Sequence, residues 1–348
     1  MHMADALLSP AVGVTMWAAS AGTVAYCSKK VREELDDKKV PLMGVLGAFL
    51  FAAQMINFSI PATGSSGHLG GGTLLAILLG PYAAFLTIAS VLVVQALFFA
   101  DGGLLALGCN IFNMGFWPAF VVYPFIFKKI IGSNPSRSRL AVATMISAIA
   151  GLQLGPFSVV LETVFSGISA LPFSTFVLLM QPIHLAIGVV EGLVTVAVIS
   201  FVFKARPEIL RGALEARPIG NHPVRTVVLT LMAAVLFTGG FVSWFASKNP
   251  DGLEWAITKA TGKQELEGSK LGLHGTLAAI QEATAFLPDY TFRKPAEATR
   301  EESKKSRSIP GGLDNRLGTS ISGIVGGVTT LGLVLLVGLG LKQKKRQT

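Results

Sequence analysis

Two histidines carry the clearest chemistry in this chain of 348 residues. They are His2, next to Met1, and His68, within Thr63-Gly64-Ser65-Ser66-Gly67-His68-Leu69-Gly70-Gly71-Gly72. A free amine on Met1 and the deprotonated His2 amide would close a five-membered ring on a metal, and that amide with His2 Nδ1 a six-membered one. Three nitrogens then share a plane. A fourth from His68 completes a square-planar set, the geometry of Ni(II) or Cu(II) with nitrogen ligands. The arrangement needs Met1 retained and unblocked, and a bulky second residue such as His2 protects it from trimming. Uptake must displace protons from an amine with a pKa near ~8 and from an amide, so binding should weaken in acid. The plain alternative is an exposed terminal histidine and a loop histidine satisfied by hydrogen bonds.

Other groups could do different chemistry. His184 and Glu191 stand seven apart, on one face of a helix. Ionisable residues within a span are functional candidates, although a hydrogen-bonded packing pair is the favoured reading here. Asn57, Asn110, Asn113 and Gln181 could pack helices or support His68 from behind. Gly64-Ser65-Ser66-Gly67 satisfies the Gly-x-Ser-Gly pattern of rhomboid-like intramembrane proteases, with Ser66 as nucleophile and His184 as base. No Gly-x-x-x-x-Gly-Lys-Ser/Thr phosphate loop occurs, so the chain cannot drive transport by ATP itself. Cys27 and Cys109 fall on opposite sides of the expected topology and should not pair.

The elements that must position these residues are membrane spans. Hydrophobic residues make up 51% of the chain and charged ones only 14%, and several apolar runs reach the ~20 residues that cross a bilayer as helix. The fold expected is all-α and multi-pass. The net charge of +9 lies mostly between the runs, as cytoplasmic loops require, and so reports topology rather than nucleic acid. The first run, 6–27, is followed by Lys29, Lys30 and Arg32, which orients it with the N-terminus outside and argues against a cleaved signal peptide. Further spans are expected at 41–60, 72–99, 104–127, 139–156 and 172–203, with 157–171 outside. Parity between the basic loops Lys29 to Lys39 and Lys128 to Arg139 requires 72–99 to be split at Gly80-Pro81, where proline disfavours helix before it. That makes a seven-helix bundle over 1–205. A cytoplasmic linker, 206–224, leads to a two-helix hairpin region, 225–348, with spans at 225–246 and 318–341, a long outer segment 247–317 and the basic tail Lys342 to Arg346 inside. In the bundle, the outer segments hold Asp5, Asp101 and Glu162 without lysine or arginine. That would concentrate small cations, though the positive-inside rule alone also strips those loops of basic residues.

Met1-His2, Ser65-Ser66-Gly67-His68-Leu69-Gly70 and His184-Leu-Ala-Ile-Gly-Val-Val-Glu191-Gly192 resemble the NikM/CbiM family, the substrate-capture (S) components of energy-coupling-factor transporters for nickel and cobalt. The second region is similar to the partner NikN/CbiN, through Asn249-Pro250-Asp251-Gly252-Leu253-Glu254-Trp255 and Leu287-Pro288-Asp289-Tyr290. The resemblance implies a fused capture component in a prokaryotic cell membrane, with Met1, His2 and His68 binding Ni(II) or Co(II), and with partner ATPases and a transmembrane coupling (T) protein. The opening departs from the family's usual Met-His-Ile-x-Glu-Gly, reading Met-His-Met-Ala-Asp-Ala, which touches the packing behind the site rather than the ligands. A stand-alone metal permease is the remaining alternative. The Pro-Asp-Gly stretch reads from its residues as a turn without chemistry.

Overall fold

The computed structural model describes residues 2–34, 38–132, 135–218, 224–263, 266, 268–292 and 313–347. Met1, given a ligand role above, lies outside the described residues, as do parts of the basic loops and of the outer segment 247–317. Among the described residues seven helices occupy the chain as far as Ala205. They are α1 (Pro10–Glu34), α2 (Lys39–Gln54), α3 (Gly72–Leu79), α4 (Pro81–Phe99), α5 (Leu107–Ile131), α6 (Arg137–Ser166) and α7 (Phe173–Ala205). After them come α8 (Pro207–Glu215), α9 (Arg225–Gly240), α10 (Gly252–Thr261), α11 (Gly272–Thr284) and α12 (Leu313–Gln347). Five described helices are long and apolar enough to cross a membrane: α4, α5, α6, α7 and Arg316–Gln343 of α12. Large apolar side chains such as Phe165, Leu178, Leu193, Phe237, Val328 and Leu336 point outward, a surface suited to lipid.

Gly80 ends α3 and opens α4, with φ at +79° and Pro81 in the first helical position. Glycine tolerates that dihedral, and proline lacks the amide that a continuous helix would use. Every residue of α3 is buried. Its eight residues span about 12 Å, too short to cross alone, so it lies within the bundle.

Two expectations change. Helix α6 does not stop near residue 156 but runs through Pro156 to Ser166. The proline removes a donor to the Leu152 carbonyl, and Gln153 Nε2 reaches that oxygen at 3.4 Å. Glu162 is therefore on a helix rather than in an outer loop, where it is buried and accepts a bond from Asn113 Nδ2 at 2.7 Å. The glycine-rich loop, in turn, contains a small antiparallel hairpin, β1 (Phe58–Ile60) with β2 (Ser65–Gly67), in register Phe58↔Gly67, Ser59↔Ser66 and Ile60↔Ser65.

The second region packs onto the first through α12, α9 and α2. At the α9–α12 crossing Gly239 and Gly323 meet backbone to backbone, and a Cβ on Gly323 would lie 2.5 Å from the Gly239 carbonyl oxygen. Gly326 admits the Phe51 ring, whose Cζ would be 1.9 Å from an added Cβ. Small residues permit this close approach where apolar lipid supplies no hydrophobic drive. Gly323→Leu should lower stability by about 1–3 kcal/mol through overpacking. Gly332→Leu, where an added Cβ meets nothing within 4 Å, should stay within about 0.5 kcal/mol of the parent. Thermal unfolding in detergent compares the two.

Candidate metal centre

The chain behind His2 is fastened to the bundle. Met3, fully buried, donates its N–H to Asn110 Oδ1 at 2.8 Å, and its carbonyl accepts from Gly103 N at 2.9 Å and Asn110 Nδ2 at 3.3 Å. Asp5 Oδ1 accepts from Ala106 N at 2.9 Å. A Cβ on Gly103 would fall 1.8 Å from that same carboxylate oxygen, so glycine is needed for the approach. The N-terminal segment thereby lies across the loop between α4 and α5, and His2 is delivered beside His68.

The two imidazoles stack, with centroids 4.9 Å apart and planes 6° from parallel. His2 Nδ1 lies 2.9 Å from Asp101 Oδ1, and Tyr290 donates its hydroxyl to the other oxygen of Asp101. Burial pushes the Asp101 carboxyl up, but His2 and the Tyr290 bond outweigh it and hold the group well below the usual carboxylate range. His2 Nε2 is buried and meets no hydrogen-bond partner among the described residues. His68 Nδ1 is 3.1 Å from the Leu69 carbonyl. A carbonyl only accepts, so Nδ1 of the neutral ring carries the hydrogen and the lone pair sits on Nε2, which is 3.9 Å from Asp251 Oδ2. Burial lowers the His68 pKa to about 3, keeping the ring neutral, the form that binds metals.

The His68 loop is held from below by Glu191 of α7. Its carboxylate accepts from Gly70 N at 2.6 Å and Gly71 N at 3.2 Å. Gln54 Nε2 donates to the Gly70 carbonyl at 2.9 Å and is itself positioned by Gln95. Glu191 and His184 therefore bond different groups, since His184 Nδ1 faces the Met180 carbonyl at 2.8 Å. The packing-pair expectation gives way to two separate roles. Of the four amides left open by the sequence, Asn110 fastens Met3, Asn113 bonds Glu162, and Gln181 exchanges bonds with Gln153 between α6 and α7. Asn57 accepts from Ser247 N at 2.7 Å through its main-chain carbonyl, not its side chain.

The protease geometry does not form. Ser66 Oγ donates to the carbonyls of Asn249 and Pro250 at 2.8 and 3.3 Å, and Ser66 N to the Pro250 carbonyl at 2.8 Å. These bonds put Asn249 and Pro250, from the segment between the two spans of the second region, on the histidine loop. Trp255 Nε1 donates to the Thr63 carbonyl, Gln281 to those of Ala96 and Gly102, and His274 Nε2 faces the Leu8 carbonyl. Asp251 caps α10 in a capping box, its Oδ1 accepting from Leu253 N and Glu254 N while Glu254 bonds back to Asp251 N. Its other oxygen faces His68. The aspartate followed three residues later by glutamate was the legible signal of a helix start; its nearness to His68 had none. Outside, a mouth is lined by His2, Asp5, Asp101, Asp251, Glu254 and Asp289, with no lysine or arginine among its described lining residues. Among the described residues no three His, Cys, Asp or Glu side chains gather closely enough to hold a metal by themselves, so main-chain nitrogen has a natural part in any ligand set.

A multi-pass helical membrane protein with a cation-attracting mouth over buried imidazoles is the class that fold and site define. Residues 2–209 match the family described as cobalt uptake substrate-specific transmembrane region, CbiM, and residues 225–343 match the PDGLE domain. The fused nickel transport protein NikMN of Rhodobacter capsulatus is 30% identical over 320 residues, covering 83% of this chain and 88% of that one. The cobalt transport protein CbiM of Geobacter sulfurreducens is 29% identical over 256 residues, 69% of this chain and 72% of its own. A crystal structure of a transition metal transporter superposes with a TM-score of 0.53 at 31% identity, covering 60% of this chain and 94% of the other. The chain belongs to the CbiM family and carries a PDGLE domain behind the CbiM region.

Two outcomes follow from the site. Glu191→Ala leaves the Gly70 and Gly71 amides without their acceptor and should cost about 1–3 kcal/mol for each amide left unpaired, with Glu191→Gln losing less, in thermal unfolding. The His68 ring takes up a proton near pH 6.5 when unfolded and only near pH 3 when folded. The folded state thus binds fewer protons between those values. The stability this ring contributes is complete above about pH 6.5 and is lost as pH falls toward about 3, so unfolding temperatures of His68→Asn should depend less steeply on pH over that window than those of the parent.

Proposed function

We propose that this protein captures a divalent transition metal from outside the cytoplasmic membrane, Ni(II) in preference to Co(II), for ATP-driven uptake by an energy-coupling-factor transporter. The observation that carries the reading is the His2–His68 stack, buried beneath a mouth of carboxylates. Family membership and the nickel and cobalt named in relatives support the substrate class. The donors are the Met1 amine, the His2 amide and imidazole, and His68. Square-planar nitrogen coordination favours nickel over cobalt, and the Irving–Williams order places Cu(II) above both, so exclusion of copper rests partly on its scarcity.

The in-plane chelate uses His2 Nδ1, the nitrogen that faces Asp101 in the structure. Capture therefore exchanges a carboxylate partner for the metal at that atom. The Asp101–Tyr290 bond then keeps the released carboxylate partnered and near the incoming positive charge. The topology that serves this places the N-terminus outside and the basic C-terminal tail in the cytoplasm. Residues 1–205 form the capture bundle, 206–224 the inner linker, and 225–348 the region whose outer segment reaches the site through Asn249, Pro250, Asp251 and Trp255. Partner ATPases and a coupling protein supply the energy, since the chain has no phosphate loop.

Calorimetric titration of Ni(II) into the purified full chain tests this. Stoichiometric binding should vanish in His2→Ala, in His68→Ala and in a variant with one residue added before Met1. Affinity should fall as pH drops below the amine's pKa of about 8, roughly a hundredfold per unit because the amine and the amide each release a proton, against roughly tenfold per unit above it. Unchanged affinity in the extended variant would remove the amine from the ligand set. Uptake that persists in cells lacking the partner ATPases would favour a stand-alone permease.

A further inference from the structure

The connections that carry His2, His68 and Asp101, residues 2–9, 55–71 and 100–106, contain no lysine or arginine. The second region differs. Lys248 follows the short turn Val242–Phe245 that ends α9, Arg316 lies in the first turns of α12, and both line one open cavity of about 430 Å³ together with Trp244, Asn57, Asp289 and Tyr290. That volume falls within the range of about 300–1,000 Å³ typical of small-molecule sites. Among the described residues neither Lys248 nor Arg316 is in an ion pair.

The frame that carries these two cations is fixed. Ser247 donates its N–H to the Asn57 carbonyl at 2.7 Å, and its Oγ bonds Ser59 Oγ at 2.8 Å and accepts from Asn249 N at 3.2 Å. Trp244 Nε1 donates to Ser320 Oγ at 2.6 Å, tying the end of α9 to α12, and the Arg316 guanidinium lies 5.8 Å over the Trp244 ring. Phe237, Phe241, Trp244 and Phe245 are all exposed and touch in sequence, with centroids 5.2 to 5.6 Å apart. Exposed aromatic rings at a helix end mark the level of the membrane–water interface. Beyond them Leu236, Ile321 and Val328 present aliphatic side chains outward on α9 and α12.

We infer that this cavity seats the headgroup of a membrane phospholipid, with its phosphate on Lys248 and Arg316 and its acyl chains along the exposed faces of α9 and α12. Cations beside interfacial aromatics are the chemistry that recognises lipid phosphate. Asp289 refines the choice, because a carboxylate in the lining repels a bare phosphate and accepts from a headgroup that ends in N–H or O–H. Ethanolamine and glycerol headgroups meet that requirement, and choline, which has no such hydrogen, does not. Tyr290 lines the same cavity and donates to Asp101, so a seated headgroup packs against the segment that partners the carboxylate beside His2. Only the leaflet it faces rests on the topology proposed above.

Native mass spectrometry of the purified full chain, released from detergent with added lipids of one acyl composition, tests the inference. Phosphatidylethanolamine and phosphatidylglycerol should each be retained as one tightly held molecule, phosphatidylcholine several-fold less, and diacylglycerol or inorganic phosphate not at all. Lys248→Gln and Arg316→Gln should each lower retention of phosphatidylethanolamine about fivefold, and Asp289→Asn should narrow its margin over phosphatidylcholine. Lys259→Gln is the matched control: Lys259 lies 5.9 Å over the Trp255 ring, outside this cavity, and its loss should leave retention unchanged. Thermal unfolding checks that each variant is folded. Retention indifferent to Lys248 and Arg316, an equal fall in Lys259→Gln, or diacylglycerol or inorganic phosphate held as well as the phospholipid would overturn the site. The readout needs no metal, so nickel binding that fails while lipid selectivity persists would count against the capture reading alone.

Discussion

The end of the bundle that carries His2 and His68 depends on the bonds between Asn110 and Met3. One amide side chain accepts from the Met3 N–H and donates to its carbonyl, while Gly103 donates to that carbonyl as well. A chain terminus is normally the least ordered part of a domain. Here the residue directly after His2 is fixed in position and direction, so the ordering cost is met by folding and need not be met again when a ligand arrives. Asn110 can do this only because α5 begins beside the loop that Gly102 and Gly103 keep thin, where a Cβ on Gly102 would press on both Asn110 and His2.

A second theme is the use of carbonyl oxygens to set imidazole tautomers. Leu69 does so for His68 and Met180 for His184, and in each ring the hydrogen is held away from the small cavity that both rings line. Asp101 takes the same part at His2. The histidines are thus kept neutral or partnered by fixed groups rather than by water, as suits a buried site in a bilayer protein. Glu191 extends the principle to the backbone, replacing the helix-style partners that the amides of Gly70 and Gly71 lack.

The helical, multi-pass class was legible because long apolar runs and basic loops are strong signals, and parity located the break at Gly80-Pro81 that the dihedrals display. His2 and His68 were legible as a pair because residue type coincided with placement at the same end of the expected spans. Pro156 misled, since proline read locally ends a helix, whereas packing of α6 against α7 carries it through and Gln153 covers the bared carbonyl. Glu162 was misplaced for the same reason. Asp251 and Tyr290 could not be assigned to the site, because sequence patterns reveal local roles, a cap and a turn, while their nearness to His68 and Asp101 depends on how distant segments dock.

The bonds from Ser66 to Asn249 and Pro250 join the His68 loop to a cover carried by the same chain. A cover borne on a separate chain would have to be present at sufficient concentration, and its occupancy would vary with expression and dilution. A tether sets the local concentration at about millimolar whatever the amount of protein. Opening and reclosing of this contact are therefore unimolecular steps, whose rates do not depend on the amount of protein.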